Sequence, residues 1–345
     1  MGESPPLHAC LVEAAPLDRN RDAIVAVIQA LSAAAVELAQ IIAAGPLADI
    51  TGKASGVNPD GDSQRDIDVL ADRLMREALR TAPVAVILSE EAELPEEIDP
   101  DAPLCVAIDP LDGSANLENN ISVGTIFSIR PRGRDSISTL FEPGTQQCAA
   151  GFFIYGPQTI LVLAIDGRVD FYTLDPARRE FIRTRRDVKV PLNTPEFAIN
   201  ASNRRHWSSA VRAYVDDCIA GVNGERGQNF NMRWIGSLVA EAYRILVRGG
   251  VFLYPADARP GYREGRLRLI YEAHPIGLIM EWAGGAASNG RGRILELSAR
   301  TLHQHVPLIM GAAVAVRDID SIHQGVEPLF EGGDAPLFAR RGLFR

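Results

Sequence analysis

Apolar residues recur at helical spacing from Ile24 to Ile42, at Ile24, Val27, Ile28, Leu31, Ala35, Leu38 and Ile42. The spacing predicts an amphipathic helix of about six turns, opened near Asn20 or Asp22 and stopped by Gly45-Pro46. Residues 1–20 are Pro-rich and poorly patterned, which predicts a loose arm. Thr51 to Gly61, containing Gly, Ser and Asn, reads as a mobile loop. A second helix is expected from Asp62-Ser63-Gln64-Arg65, with Asp62 able to cap it and Ile67, Leu70, Leu74 and Ala78 as its buried face. Asp68 lies beside that face, and taken alone it is a solvated helix acid.

The pattern then changes to short continuous apolar runs, the signature of buried strands. Pro83 to Leu88 is followed by Ser89-Glu90-Glu91, and Leu104 to Ile108 by Asp109-Pro110-Leu111-Asp112-Gly113-Ser114. Val123 to Ile129 and Gly151 to Tyr155 are further β runs. Thr159 to Ile165 and Arg168 to Leu174, joined by Asp166-Gly167, read as a hairpin. Later, Leu238, Val239, Ala242, Ile245 and Leu246 mark a helix closed by Gly249-Gly250, and Val251 to Tyr254 a strand. Leu267 to Tyr271 is a third acid-tipped strand, ending at Glu272, and His274-Pro275 opens a helix closed by Gly284-Gly285. Pro191 to Pro195 resembles a linker, so the chain divides into two α/β domains, 1–190 and 191–345. The tail from Gly325 reads as surface or disordered.

Asp-Pro-Leu-Asp-Gly has the composition of an ordinary turn. Its position after a buried strand changes the reading, because in an α/β sheet the carboxyl end of a strand opens into the ligand crevice. Two buried strands that each end in paired acids are costly unless positive charge lies between them. Asp109 and Asp112 offer oxygens to divalent cations, and the amides of Gly113 and Ser114, if they open a helix, face an anion. Two cations about 3.5 to 4 Å apart, clamping a phosphoryl group, account for the pattern.

Composition narrows the partners. The chain has 345 residues and a formal charge of -9, which argues against nucleic-acid or anionic-membrane binding. Lys53 and Lys189 are the only lysines, so an anionic substrate must meet arginine, whose fork suits phosphate. Cys10, Cys105, Cys148 and Cys218 are far apart and form no Cys-x-x-Cys pair, as in a reducing compartment. The N-terminus lacks the basic flank and apolar core of a signal peptide, and no apolar run is expected to reach transmembrane length. A cytoplasmic protein is expected.

Ser89-Glu90-Glu91, Asp109 to Ser114, Ser122 to Phe127, Trp234 to Ala240, Gly249 to Ala256 and Leu267 to Glu272 together resemble the class I fructose-1,6-bisphosphatases, over residues 20 to 320 in the right order. The Asp-Pro-x-Asp-Gly motif alone would indicate only the wider lithium-sensitive phosphatase superfamily. The resemblance implies an alternating α/β/α/β/α sandwich, with 1–190 binding metal and 191–345 the sugar phosphate. It implies magnesium or manganese, two or more ions per subunit, held by Glu90, Asp109, the Leu111 carbonyl, Asp112 and Glu272. Asp112, Gly113 and Ser114 would border the departing phosphate. Glu91 with Asp68 would orient and deprotonate the attacking water, and Asp62 and Asn58 would lie on a loop closing over the site. Asn200, Asn203, Tyr254, Arg266 and Arg268 would contact the sugar and its other phosphate. Arg233 would reach that phosphate from a neighbouring subunit of a homotetramer.

The implied activity is hydrolysis of the 1-phosphate of fructose 1,6-bisphosphate, in gluconeogenesis or a carbon-fixation cycle, with sedoheptulose 1,7-bisphosphate as a second substrate. Arg266 replaces the family's sugar-site lysine, and Trp234 a tyrosine. The AMP-binding blocks of the animal enzymes are replaced by Asp18-Arg19-Asn20-Arg21 and Pro103-Leu104, which predicts weak or absent AMP inhibition. Cys148 lacks a clustered partner, which argues against thioredoxin control. Inositol or nucleotide monophosphatases usually carry Trp-Asp where this chain has Tyr271-Glu272, and a silent relative would be expected to lose metal acids.

Overall fold

A computed structural model describes residues 4–14, 20–48, 54–57 and 63–325. Helix α1 (Leu7–Ala14) buries Leu7, Cys10, Leu11 and Ala14. The expected loose arm is therefore partly a helix: its single apolar stripe follows Pro5-Pro6, and it docks on the sheet edge through a bridge between Pro6 and Ile182. Helix α2 (Arg21–Ala44) forms as expected, and Ser32 is accommodated inside it by donating to the Ile28 carbonyl at 2.7 Å. By length and mean hydropathy, 1.8 over Arg21–Ala48, this segment is long and apolar enough to cross a membrane, which corrects the sequence expectation. Half of the apolar window is buried within the fold, as in a core helix.

Helix α3 (Asp66–Leu79) starts four residues later than expected, because Ser63–Arg65 pairs antiparallel with Ala54–Val57. The Asp68 carboxylate fixes the new start by accepting from the Arg65 amide at 2.8 Å. The buried stripe is Ile67, Asp68, Ala71, Met75 and Leu79, with Leu70, Leu74 and Ala78 half-buried, so Asp68 is not a solvated acid. Asn58, Asp62 and the tail beyond Gly325 lie outside the described residues.

Eight strands form the larger sheet, in the spatial order Glu180–Arg185, Arg168–Asp175, Thr159–Ile165, Ala149–Tyr155, Val123–Pro131, Leu104–Asp112, Val84–Ser89 and Glu96–Glu97. Val84–Ser89 and Leu104–Asp112 are parallel, and the other neighbours antiparallel. The Asp166-Gly167 turn has φ +50 and +73, as a tight hairpin requires. A smaller five-stranded sheet runs Asn231–Met232, Glu196–Ala198, Val251–Tyr254, Leu308–Gly311 and Ala286–Ser288.

The short helix α4 (Ser136–Phe141) follows Val123–Pro131, and four longer helices complete the set: α5 (Ser209–Ala220), α6 (Leu238–Arg248), α7 (His274–Trp282) and α8 (Ala313–His323). One face of the large sheet packs on α1, α2 and α3. Its other face shares a core with α6, α7 and the small sheet, whose far face is covered by α5 and α8. The order of layers is α/β/α/β/α, the sandwich that the resemblance implied. Helices on both faces explain why the central strands are apolar without alternation.

A further local prediction fails. Only Leu267–Arg268 is strand, paired with His305–Val306, and Leu269–Ala273 is a π-helical turn running into α7. Glu272 sits on that turn, fully enclosed, not at a strand end.

Candidate active site

The parallel pair places Glu90 and Asp109 side by side, with the Glu90 amide donating to the Ile108 carbonyl at 3.0 Å. Residues three apart on a regular strand face opposite sides of the sheet. Here the register slips: Asp109 opposes Ile126 while Asp112 opposes Gly124, so the strand carries one extra residue against its neighbour. This bulge turns both carboxylates to one site. It is pinned by Thr125, whose hydroxyl donates to the Pro110 carbonyl at 2.8 Å, and by the Leu111 amide, which donates to Asp109 Oδ1 at 3.0 Å.

Asp112 also meets the N-terminus of α6, accepting from the Val239 amide at 3.1 Å. Gly124 permits this approach: a Cβ there would overlap the Phe153 carbonyl oxygen and lie 2.7 Å from Val239 Cγ2. After Asp112 the chain reverses at Gly113 (φ +75) into a short 3-10 turn, Ser114–Asn119, tied across by Asn116 Nδ2 donating to the Gly236 carbonyl at 2.9 Å. Asp68 reaches the same turn, where Ser114 hydrogen-bonds its carboxylate.

Carboxylate oxygens of Asp109, Asp112 and Glu272 lie within 4.8 Å of one another, all buried. Glu90 joins them, close enough for its charge to act on Asp109, and it is paired with Arg268, whose Nη1 is 2.9 Å from Glu90 Oε1. The Arg268 amide donates to Glu272 at 2.5 Å. Four buried acids thus share one guanidinium. Burial, reinforced by their neighbours' charge, pushes Glu90 up to about 7 and holds Asp109 and Glu272 well above the ordinary carboxylate range. Burial raises Asp112 to about 6 against the opposing amides of Val239 and Leu238, and it also raises Asp68. Glu90 Oε2 is buried without a hydrogen-bond partner. An all-oxygen donor set, an orphaned carboxylate oxygen and an excess of buried negative charge fit a hard divalent cation.

Glu91 is half-buried beside this cluster, with its amide 3.3 Å from Ser89 Oγ. Ser89 in turn donates to Asp72 at 2.5 Å, and Asp72 pairs with Arg76 at 3.0 Å, so α3 anchors the loop carrying both glutamates.

A pocket of about 140 Å³ opens from Asp112, lined by Gly236, Ser237, Leu238, Trp234, Phe252, Tyr254 and Leu267. Trp234 stacks on Phe252, with centroids 5.9 Å apart and an interplanar angle of 3°. A larger cavity, about 680 Å³, between the end of α2 and Pro157–Thr159, contains none of the four clustered acids, so volume does not locate the chemistry.

Asn200, Asn203, Arg233 and Arg266 do not line the smaller pocket. Asn200 Oδ1 accepts from the Ser202 amide and hydroxyl at 3.2 and 2.6 Å, capping the turn that holds Asn203. Arg233 is half-exposed, 3.6 Å from Glu196. Arg266 lies over Tyr254, at 5.9 Å from the ring centroid. Sequence reasoning missed the α6 N-terminus as Asp112's partner, although Gly236-Ser237 before an apolar helix was a capping signal. It also missed the buried Glu241–Arg244–Glu196 chain, in which Glu241 accepts from the Ile235 amide at 2.8 Å and holds the pocket's Trp234–Ser237 segment.

Residues 7–186 match the family described as Fructose-1-6-bisphosphatase, N-terminal domain, and residues 190–324 its C-terminal domain. A fructose-1,6-bisphosphatase class 1 of Bradyrhizobium sp. strain BTAi1 is 68% identical over 346 residues, covering 100% of this chain and 98% of the relative. One from Nitrobacter hamburgensis is 54% identical over 333 residues, covering 96% of each. The crystal structure of Leishmania major fructose-1,6-bisphosphatase in holo form is similar with a TM-score of 0.86 at 30% identity, covering 93% of this chain and 99% of that one.

Proposed function

Since the chain belongs to the fructose-1,6-bisphosphatase family, it is a phosphoric monoester hydrolase acting on fructose 1,6-bisphosphate, and we propose that magnesium, replaceable by manganese, is its cofactor. The observation that carries this reading is the set of four buried carboxylates around one guanidinium. Glu90, Asp109, the Leu111 carbonyl, Asp112 and Glu272 would hold two or more ions per subunit. Bound there, divalent ions polarise the phosphoryl oxygens and offset charge on the leaving oxygen.

The protein's own groups position the reaction. Glu91 and Asp68 orient the attacking water and take its proton; burial strengthens Asp68 as a base by raising its pKa. Asp112, Gly113 and Ser114 border the 1-phosphate, with Asp62 and Asn58 covering that end. Tyr254, Arg266, Arg268, Asn200 and Asn203 receive the sugar and its second phosphate, joined by Arg233 from an adjacent subunit of a homotetramer. Arg268 is at the junction, since it already neutralises Glu90. Residues 1–190 act as the metal-binding part and 191–345 as the sugar-phosphate part of a cytoplasmic enzyme. An open phosphate end also suits sedoheptulose 1,7-bisphosphate, one hydroxymethylene longer.

Phosphate release from fructose 1,6-bisphosphate, sedoheptulose 1,7-bisphosphate and inositol monophosphate, with magnesium or with EDTA, tests this. One equivalent from the bisphosphates, abolished by EDTA, is expected. Release undiminished by EDTA, or from inositol monophosphate alone, would contradict it.

A further inference from the structure

Between Tyr254 and Leu267 the chain forms a compact loop that encloses one aromatic ring between two cations. The Tyr262 carbonyl accepts from the amides of Asp257 and Gly265, each at 3.1 Å, and the Tyr262 amide donates to the Arg259 carbonyl at 3.1 Å. Gly265 (φ +89) lies so close to the Val306-Pro307 backbone that a Cβ would overlap it, which fixes the end of the loop. The half-buried Tyr262 ring has the Arg259 guanidinium 4.4 Å from its centroid and the Arg266 guanidinium at 4.7 Å.

The two arginines differ. Arg259 is neutralised by Asp257, whose carboxylate oxygens lie 3.0 Å from its Nε. Arg266 is exposed and, among the described residues, makes no ion pair; it spans Tyr262 and Tyr254, and Tyr254 lines the pocket that begins at Asp112. An unpaired guanidinium on a long side chain binds an anion better when an aromatic face already holds it in place.

We propose that Tyr262 is a positioning residue that holds Arg266 at the open end of the pocket and so sets the preference for bisphosphorylated over singly phosphorylated sugars. This rests on the reading of Arg266 as a contact of the second phosphate. The ring acts only through Arg266, so its contribution exists only when the substrate carries that phosphate.

The test is steady-state kinetics with fructose 1,6-bisphosphate and fructose 1-phosphate for the wild type, Tyr262→Leu, Tyr262→Phe, Arg266→Ala and the Tyr262→Leu/Arg266→Ala double variant. Tyr262→Leu should raise KM for the bisphosphate about three- to five-fold, the size of an exposed cation–π contact, with kcat within about two-fold. Tyr262→Phe should restore KM, fructose 1-phosphate should show no change, and Tyr262→Leu should add nothing in the Arg266→Ala background. Equal losses on both substrates, or a Tyr262→Leu effect that persists without Arg266, would overturn the proposal. An Arg266→Ala variant with unchanged bisphosphate KM would instead overturn the reading on which it rests. If Tyr262→Leu lowers the melting temperature, Tyr262→Met, whose longer flexible side chain fills the site without a ring, serves the same comparison.

Discussion

Behind Asp112, where the pocket begins, Glu90, Asp109, Asp112 and Glu272 are buried together, and among the described residues Arg268 is the counter-charge paired with them. Beyond Tyr254, which lines the same pocket, Arg266 is exposed, rests on tyrosine rings and meets no carboxylate among the described residues. The same molecule thus holds excess negative charge where water is excluded and excess positive charge where water is admitted. Buried acids raise one another's pKa and create demand for a cation, whereas an exposed guanidinium costs little and remains available to an anion. A sugar with a phosphate at each end has the polarity to bridge the two regions. On the proposed reading, one phosphate would lie with cations against the acids and the other would meet arginine directly.

The sharpest way to break this contrast is to remove one acid. Asp112→Asn keeps an acceptor for the Val239 amide but deletes the charge, so turnover should fall by at least about three orders of magnitude. The metal-free protein should melt at the same temperature or higher, since one buried repulsion is relieved. Near-normal turnover would refute the role given to Asp112.

The opposite end should respond differently. Arg266→Ala should raise KM for the bisphosphate about ten- to a hundred-fold, the loss of a charge-assisted phosphate contact, with a much smaller change in kcat. Arg266→Lys should fall between, because charge survives and the fork does not. A kcat collapse with unchanged KM would place Arg266 in the chemical step.

The pH dependence of stability separates the two ends more gently. Glu90 lies at about 7 in the folded protein, with Asp109 and Glu272 well raised, against about 4 for carboxyls in an unfolded chain. The folded state therefore binds more protons, and its stability falls as pH rises through these folded pKa values. His274 has the opposite sign, since burial and the Arg130 charge lower it to about 3, but its contribution is constant above about pH 6.5. Between pH 6.5 and 8 the melting temperature in EDTA should fall by several degrees, and saturating magnesium should flatten the slope. A melting temperature in EDTA that holds or rises over this interval would contradict the description of the acid cluster. The smallest expected effect is none: Cys10, Cys105, Cys148 and Cys218 are all free, so dithiothreitol should leave activity unchanged, and micromolar AMP should not inhibit.

The acid end was legible in the sequence because a buried apolar run that stops at paired acids is costly, and two such runs, with a third ending at the single acid Glu272, stood in one chain. The geometry joining them was not. The bulge at Asp109–Asp112 is a matter of register with Val123–Pro131, which no local pattern encodes, and Glu272 reached the site on a π turn where the apolar run had suggested a strand. Asp68 looked solvated on its own pattern, and only the resemblance gave it a role; its burial and its bond to the Ser114 turn depend on where α3 lies. Helix α1 was hidden by Pro5-Pro6 and a stripe of only four residues. Of the residues that the resemblance assigned to the sugar and its second phosphate, Asn200 and Arg268 are partly committed within the chain, to a cap and to Glu90, through partners that resemblance alone did not specify. Tyr262 carried a faint signal, an aromatic flanked by Arg259, Arg263 and Arg266 in a Gly-rich loop.

The central claim is that the buried acids form a divalent-metal centre facing the sugar's first phosphate. Anomalous diffraction from crystals grown with manganese and fructose 1,6-bisphosphate tests it most directly. Peaks about 2.2 Å from oxygens of Glu90, Asp109, Asp112 and Glu272, with the second phosphate beside Arg266, are predicted. Manganese absent from these four carboxylates while substrate occupies the pocket would contradict the account.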